Sequence, residues 1–61
     1  MKVRDLIKKV EDDGWVRVRM KGSHRIYDHP LKKGIVVIPG HPNDDVAPGT
    51  LDNILKQAGL K

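Results

Sequence analysis

Residues 15–28 read Trp15-Val16-Arg17-Val18-Arg19-Met20-Lys21-Gly22-Ser23-His24-Arg25-Ile26-Tyr27-Asp28, and the folding of this stretch decides the architecture of the chain. Before the Gly22-Ser23 pair, Val16, Val18 and Met20 alternate with Arg17, Arg19 and Lys21, the period-two pattern of a strand with one apolar and one cationic side. A Gly-Ser pair favours a tight turn, so the stretch is predicted to be a β-hairpin with an imidazole at its tip. Histidine exchanges protons near neutral pH, and here it stands among cations. Such a place is suited to attack on RNA.

The register of this hairpin decides which side chains share the cationic side. A two-residue Gly22-Ser23 turn pairs Lys21 with His24 and points Ile26 outward, with Arg25 and Tyr27 toward the core. A three-residue Gly22-Ser23-His24 loop pairs Lys21 with Arg25, turns Ile26 inward beside Val18 and Met20, and adds Arg25 and Tyr27 to the basic face. The second is expected, because burying Ile26 gains on the order of 2 kcal/mol and an inward Arg25 costs unless it snorkels.

Outward from the hairpin, Val3, Leu6, Ile7 and Val10 fall at i, i+3, i+4 and i+7, which predicts an amphipathic helix over residues 2–13 with Gly14 as its stop. Its charges oppose the macrodipole, with Lys2 and Arg4 at the start and Glu11, Asp12 and Asp13 at the end. Leu51, Ile54, Leu55 and Ala58 repeat the spacing near the C-terminus, capped at Thr50 or just before it and stopped by Gly59. Between the helices lie three strands, Trp15 to Lys21, Arg25 to Asp28 and Ile35 to Pro39. The turn-rich His29-Pro30-Leu31-Lys32-Lys33-Gly34 joins the second and third. The order is αβββα, an α+β fold with a three-stranded antiparallel sheet and two helices on one face. Since the four residues Ile35 to Ile38 must alternate sides, two of them cannot face the helices.

With 61 residues the chain makes one domain, residues 1–61, near the lower size at which a core stabilises itself. There is no cysteine, so neither a disulfide framework nor a thiolate metal site is expected. The longest apolar run, Ile35-Val36-Val37-Ile38, is far short of a membrane span, and the start of the chain lacks the apolar stretch of a signal peptide. A cytoplasmic setting without a membrane partner is the default. The net charge is +4 and unevenly spread: residues 1–13 are neutral, residues 14–34 carry +5 and residues 35–61 carry −1. Charge set on an alternating strand is aimed in one direction, and binding of a polyanion follows as the leading class.

The run Gly14-Trp15, Arg19-x-Lys21-Gly22-Ser23-His24-x-Ile26-Tyr27, Val37-Ile38-Pro39-x-His41 and Gly49-Thr50-Leu51-x-x-Ile54-Leu55-Lys56-Gln57-Ala58-Gly59-Leu60 closely resembles the HicA toxins of bacterial and archaeal toxin–antitoxin systems. The resemblance implies a fold like the double-stranded RNA-binding domain, metal-independent endonucleolytic cleavage of messenger RNA that blocks translation, and neutralisation by a HicB antitoxin. The family's catalytic histidine falls on His24. Helix two opens with Gly49-Thr50-Leu51-Asp52 where duplex-RNA binders carry a lysine cluster, so recognition of duplex shape is not expected.

The chemistry agrees with that resemblance. A ribonuclease without a metal must deprotonate a 2′-hydroxyl, stabilise extra negative charge at phosphorus and protonate the departing 5′-oxygen. His24 supplies base or acid. Lys21 and Arg25 flank it and are accessory candidates, and His41, where strand three ends, is a candidate for the second proton transfer. Arg17, Arg19, Lys21 and Arg25 are expected to hold RNA phosphates, and Tyr27 to stack a base. No cofactor is expected, and three irregularly spaced histidines, including His29 before Pro30, do not suggest a metal site. Trp15 is expected at a helix–strand junction, and Asp44-Asp45 in a turn or at the start of helix two. Two other readings stay open, a non-catalytic RNA-binding module using the same basic face and a regulatory protein that binds another protein through its sheet.

Overall fold

The structure, a computed structural model, describes residues 1–61 and has the αβββα order. Helix α1 spans Val3–Asp12, strands β1, β2 and β3 span Val16–Lys21, His24–Asp28 and Val36–Ile38, and helix α2 spans Pro48–Gln57. The sheet is antiparallel in the order β1-β2-β3, which leaves β1 and β3 as its edges.

Both helices stop where glycine stops them. In α1 the N–H of Gly14 reaches the Glu11 carbonyl at 2.9 Å and the N–H of Trp15 reaches Val10 at 3.1 Å. In α2 Gly59 and Leu60 make the same pair of bonds to Lys56 and Leu55. These are Schellman closures, with Gly14 at φ +105° and Gly59 at φ +72°. The start of α2 corrects the expected cap. The helix begins at Pro48, with Ala47 in the N-cap position, so Thr50 already lies in the first turn. Proline suits the first helical position because its missing N–H would have had no intrahelical partner there.

Val3, Leu6 and Val10 of α1 and Ile54 of α2 join Trp15, Tyr27, Val36, Ile38 and Ala58 in one core on a single face of the sheet. Strand β3 alternates as its length requires, with Val36 and Ile38 fully buried and Val37 and Ile35 exposed on the other side. Trp15 sits at the helix–strand junction, 2% exposed, and its indole N–H donates to the Ala58 carbonyl at 3.3 Å. Lys32 donates to the same carbonyl at 3.0 Å and to the Asp13 carboxylate at 2.5 Å. The C-terminal ends of both helices are thereby tied together by cations and donors, which their dipoles favour.

The hairpin corrects the expected register. Lys21 pairs with His24, Met20 with Arg25 and Arg17 with Tyr27, across a two-residue Gly22-Ser23 turn. Gly22 alone has a positive φ, +58°, the pattern of a type II′ turn. Tyr27 is therefore 1% exposed and Arg25 is 9% exposed, and neither joins the outer face. Two effects outweigh the gain expected from Ile26: an aromatic ring buries more surface than an isoleucine side chain, and the inward Arg25 finds a carbonyl, that of Gly40, at 2.7 Å.

A second correction concerns the alternation of β1. The ladder runs from Arg17↔Tyr27 directly to Arg19↔Ile26, leaving Val18 as the extra residue of a β-bulge. Cross-strand partners share a face, so Arg17 and Met20 lie on the helix side of the sheet and Arg19 and Lys21 on the open side. An Arg17 Nη1 to Met20 Sδ contact of 3.9 Å agrees with this division. All six residues of β1 are exposed, because the helices do not reach this edge.

Candidate active site

The turn that places His24 is a local consequence of Gly22. A positive φ at the first turn position lets Lys21 and His24 stand directly opposite one another. Both side chains are exposed. The next outward pair is Arg19 with Ile26, and Ile26 in turn pairs with Val37. The open face of the sheet thus carries one row of Lys21 and His24 and a second of Arg19, Ile26 and Val37. It is a cationic edge beside a small apolar strip. Of the two hollows on the surface, the one of about 320 Å³ meets this face only at Val37, and the one of about 220 Å³ is lined by none of its residues.

The five expected RNA-contacting residues are therefore divided between two faces. Arg19 and Lys21 stand with His24. Arg17 lies on the opposite face, and Arg25 and Tyr27 are buried there. Burial raises the Tyr27 phenol above its ordinary pKa, with Glu11 adding to the effect and Arg25 and Arg17 opposing it.

The three histidines have different surroundings. His24 is exposed and its imidazole makes no hydrogen bond within the chain. His29 is held on every side: its side chain is 6% exposed, and its Nδ1 accepts the N–H groups of Leu31 and Lys32 at 3.0 and 3.2 Å. Two donors aimed at Nδ1 fix the proton on Nε2, which donates to the Asp13 carbonyl at 2.7 Å. This is a fold-holding histidine. His41 is exposed in the loop after β3, and its backbone N–H donates to the Asp44 carboxylate at 3.0 Å. Asp44 thus serves a turn, whereas Asp45 pairs with Lys2 at 3.2 Å, at the start of α1 rather than of α2.

His24 and the loop of His41 lie at the same end of the sheet, because β2 begins at His24 where β3 ends at Ile38. His29 lies past the other end of β2. No three histidine, aspartate or glutamate side chains are grouped as metal ligands would be.

The family model described as "HicA toxin of bacterial toxin-antitoxin" matches residues 3–60, from the first turn of α1 to the closure of α2. The chain belongs to the HicA toxin family. No curated protein matches it. Membership in a HicA toxin family makes this chain a toxin-antitoxin component and implies an antitoxin partner. The match spans every element that builds the His24 face, hairpin and edge strands included. No helix of this HicA family member is long and apolar enough to cross a membrane.

Proposed function

We propose that this chain is a metal-independent endoribonuclease that cuts messenger RNA and so blocks translation, with His24 in acid–base catalysis. The observation that carries the reading is the Lys21↔His24 pair on an uncovered sheet face. An imidazole and an ammonium side by side supply two of the needs of phosphodiester cleavage. The imidazole moves a proton between the 2′-hydroxyl or 5′-oxygen and itself, and the ammonium offsets charge that develops on the phosphorane oxygens. Arg19, one row further along, holds a neighbouring phosphate and guides the strand. An open face suits a single-stranded chain that must be entered along its length.

The partner follows from the same surface. A HicB-like antitoxin of acidic character covers His24, Lys21 and Arg19 and rests its apolar atoms on Ile26 and Val37. RNA and antitoxin then compete for one face, and charge steers both toward it.

Purified wild type and His24→Ala, incubated with a messenger RNA, test the reading. Cleavage by the wild type and its loss in the variant are expected, in the presence of EDTA as in its absence. Equal cleavage by both, or RNA binding without cleavage, would sink the catalytic role of His24 and leave a binding module.

A further inference from the structure

His41 stands in a loop that is fixed far more firmly than an exposed connection requires. The Gly40 carbonyl accepts Arg25 Nη1 at 2.7 Å, the His41 N–H goes to the Asp44 carboxylate, and the Asp44 N–H returns to the His41 carbonyl at 2.9 Å. The Asp44 and Pro42 carbonyls accept the N–H groups of Val3 and Arg4 at 2.9 and 3.0 Å, and the Arg4 guanidinium holds the Asn43 side chain at 2.7 Å. Gly40 has φ +92°, and a Cβ there would meet Asp44 and Val3 at 3.4 and 3.5 Å. The backbone N–H and carbonyl of His41 and the carbonyls of Gly40, Pro42 and Asp44 are therefore held, whereas the His41 imidazole has no partner in the chain.

Capping the first turn of α1 accounts for Pro42 and Asp44. It does not account for Arg25. Arg25 is 9% exposed, and its hydrogen bond crosses from β2 to the loop residue immediately before His41. Its neighbour in sequence is His24. One side chain thus links the backbone that carries one free imidazole to the backbone that carries the other.

We propose that His41 is the second proton-transfer group of the His24 site and that Arg25 positions it by holding Gly40. The inference rests on the ribonuclease reading. In the step it completes, a neutral imidazole takes the 2′-hydroxyl proton, the 2′-oxygen bonds to phosphorus, and the bond from phosphorus to the 5′-oxygen breaks. The protonated second imidazole gives its proton to that oxygen. The products are a 2′,3′-cyclic phosphate and a 5′-hydroxyl, and the two histidines end with their protonation states exchanged. One imidazole must start neutral and one charged, which gives a bell-shaped dependence of kcat on pH. The charged groups on the elements packed against the His41 loop are Asp44 in the loop itself, Arg25 from β2, and Arg4 with the Lys2–Asp45 pair at the start of α1.

The test is cleavage of a mixed-sequence RNA oligonucleotide by the wild type, His24→Ala, His41→Ala, Arg25→Met and Arg25→Lys, each confirmed as folded by its urea transition. His41→Ala is expected to lose about 100-fold or more in kcat, with little change in KM and with one limb of the pH profile gone. Arg25→Met is expected to lower kcat about tenfold at unchanged KM and to keep both limbs, and Arg25→Lys, which can still donate to Gly40, to recover part of the loss. A folded His41→Ala with wild-type kcat and both limbs overturns the role of His41. Wild-type kcat in folded Arg25→Met overturns the positioning role. If the wild type does not cleave, or His24→Ala cleaves equally, the ribonuclease reading itself falls and takes this inference with it.

Discussion

The imidazole of His29 stands edge-on to the indole of Trp15, with ring centroids 5.2 Å apart and planes inclined by 71°. The pair closes the seam between the end of α1, the start of β1 and the turn after β2. Aromatic contact, two accepted N–H groups and one donated hydrogen bond converge on a single ring.

His29→Phe keeps the ring and loses the bonds. At about 1 kcal/mol for each bond, and more for a donor or acceptor left buried and unpaired, the loss should be on the order of 2–4 kcal/mol. The urea midpoint should fall at unchanged slope, and RNA cleavage per folded molecule should stay at the wild-type value. Loss of cleavage in folded protein would place His29 in the chemistry.

Two glycines should respond in opposite directions to alanine. At Gly14 the φ of +105° is strained for any L side chain, and the new Cβ would stand 2.8 Å from His29 Nε2. Gly14→Ala should therefore cost more than about 1 kcal/mol. Gly49 lies in the first turn of α2 with no atom within 4 Å of such a Cβ. Gly49→Ala should add about 0.5–1 kcal/mol, read from thermal midpoints measured side by side.

Acid should weaken the fold through Asp13, whose carboxyl is held below its ordinary value of 3.8 chiefly by the Lys32 hydrogen bond. A carboxylate with a depressed folded pKa adds stability above its unfolded value and loses it as pH falls through the folded one. Urea midpoints should drop as the pH falls below 3.8. Lys32→Met should be less stable at neutral pH and show a shallower acid slope. The slope that persists belongs in part to Asp52, lowered by Lys61 and Lys56. An acid slope identical to wild type would show that Asp13 gains nothing from Lys32.

Tyr27 sets the alkaline side. Its phenol is raised above 10.0 by burial, so the folded state keeps a proton that the unfolded chain gives up. The stability this contributes is complete below 10.0 and fades as the pH climbs through the folded value. Tyr27→Phe should flatten the decline of the urea midpoint as the pH rises above 10.0. An unchanged decline would show that burial of Tyr27 does not contribute to it.

Arginines two residues apart should behave differently because the bulge at Val18 separates them. In a His24→Ala background, Arg19→Gln and Lys21→Gln should each weaken RNA binding across sequences and reduce the salt slope by about 0.7. Arg17→Gln, on the helix side, should change the slope little. Fluorescence anisotropy over a salt series decides it, and equal effects of Arg17 and Arg19 would contradict the division of faces.

Much of this was legible in residues 1–61. The apolar spacing of Val3, Leu6, Ile7 and Val10, the stops at Gly14 and Gly59, the place of Trp15 and the split of Ile35 to Ile38 all follow from local periodicity. The register did not, because a one-residue slip exchanges Ile26 for Tyr27 and Arg25, and the balance depends on a carbonyl at Gly40 that only tertiary structure brings near. No residue type announces the bulge at Val18. The start of α2 carried a readable signal, Pro48 at a first helical position. For His29, the turn was evident and the three bonds were not, since two of them involve backbone N–H groups of the turn itself and the third a carbonyl sixteen residues away.

Strand β2 runs between an unbound histidine at one end and a fully bound one just past the other, separated by five residues, or about 16 Å. Over that distance stability effects add with little coupling. A cell that must silence this chain by mutation can do so at the hairpin tip without disturbing the seam at Trp15, and the silenced product stays folded. Such a product keeps Lys21, Arg19, Ile26 and Val37 of the surface proposed for the antitoxin, so lineages in which the toxin is dead would retain a titrant of the inhibitor, with consequences for any active copy in the same cell.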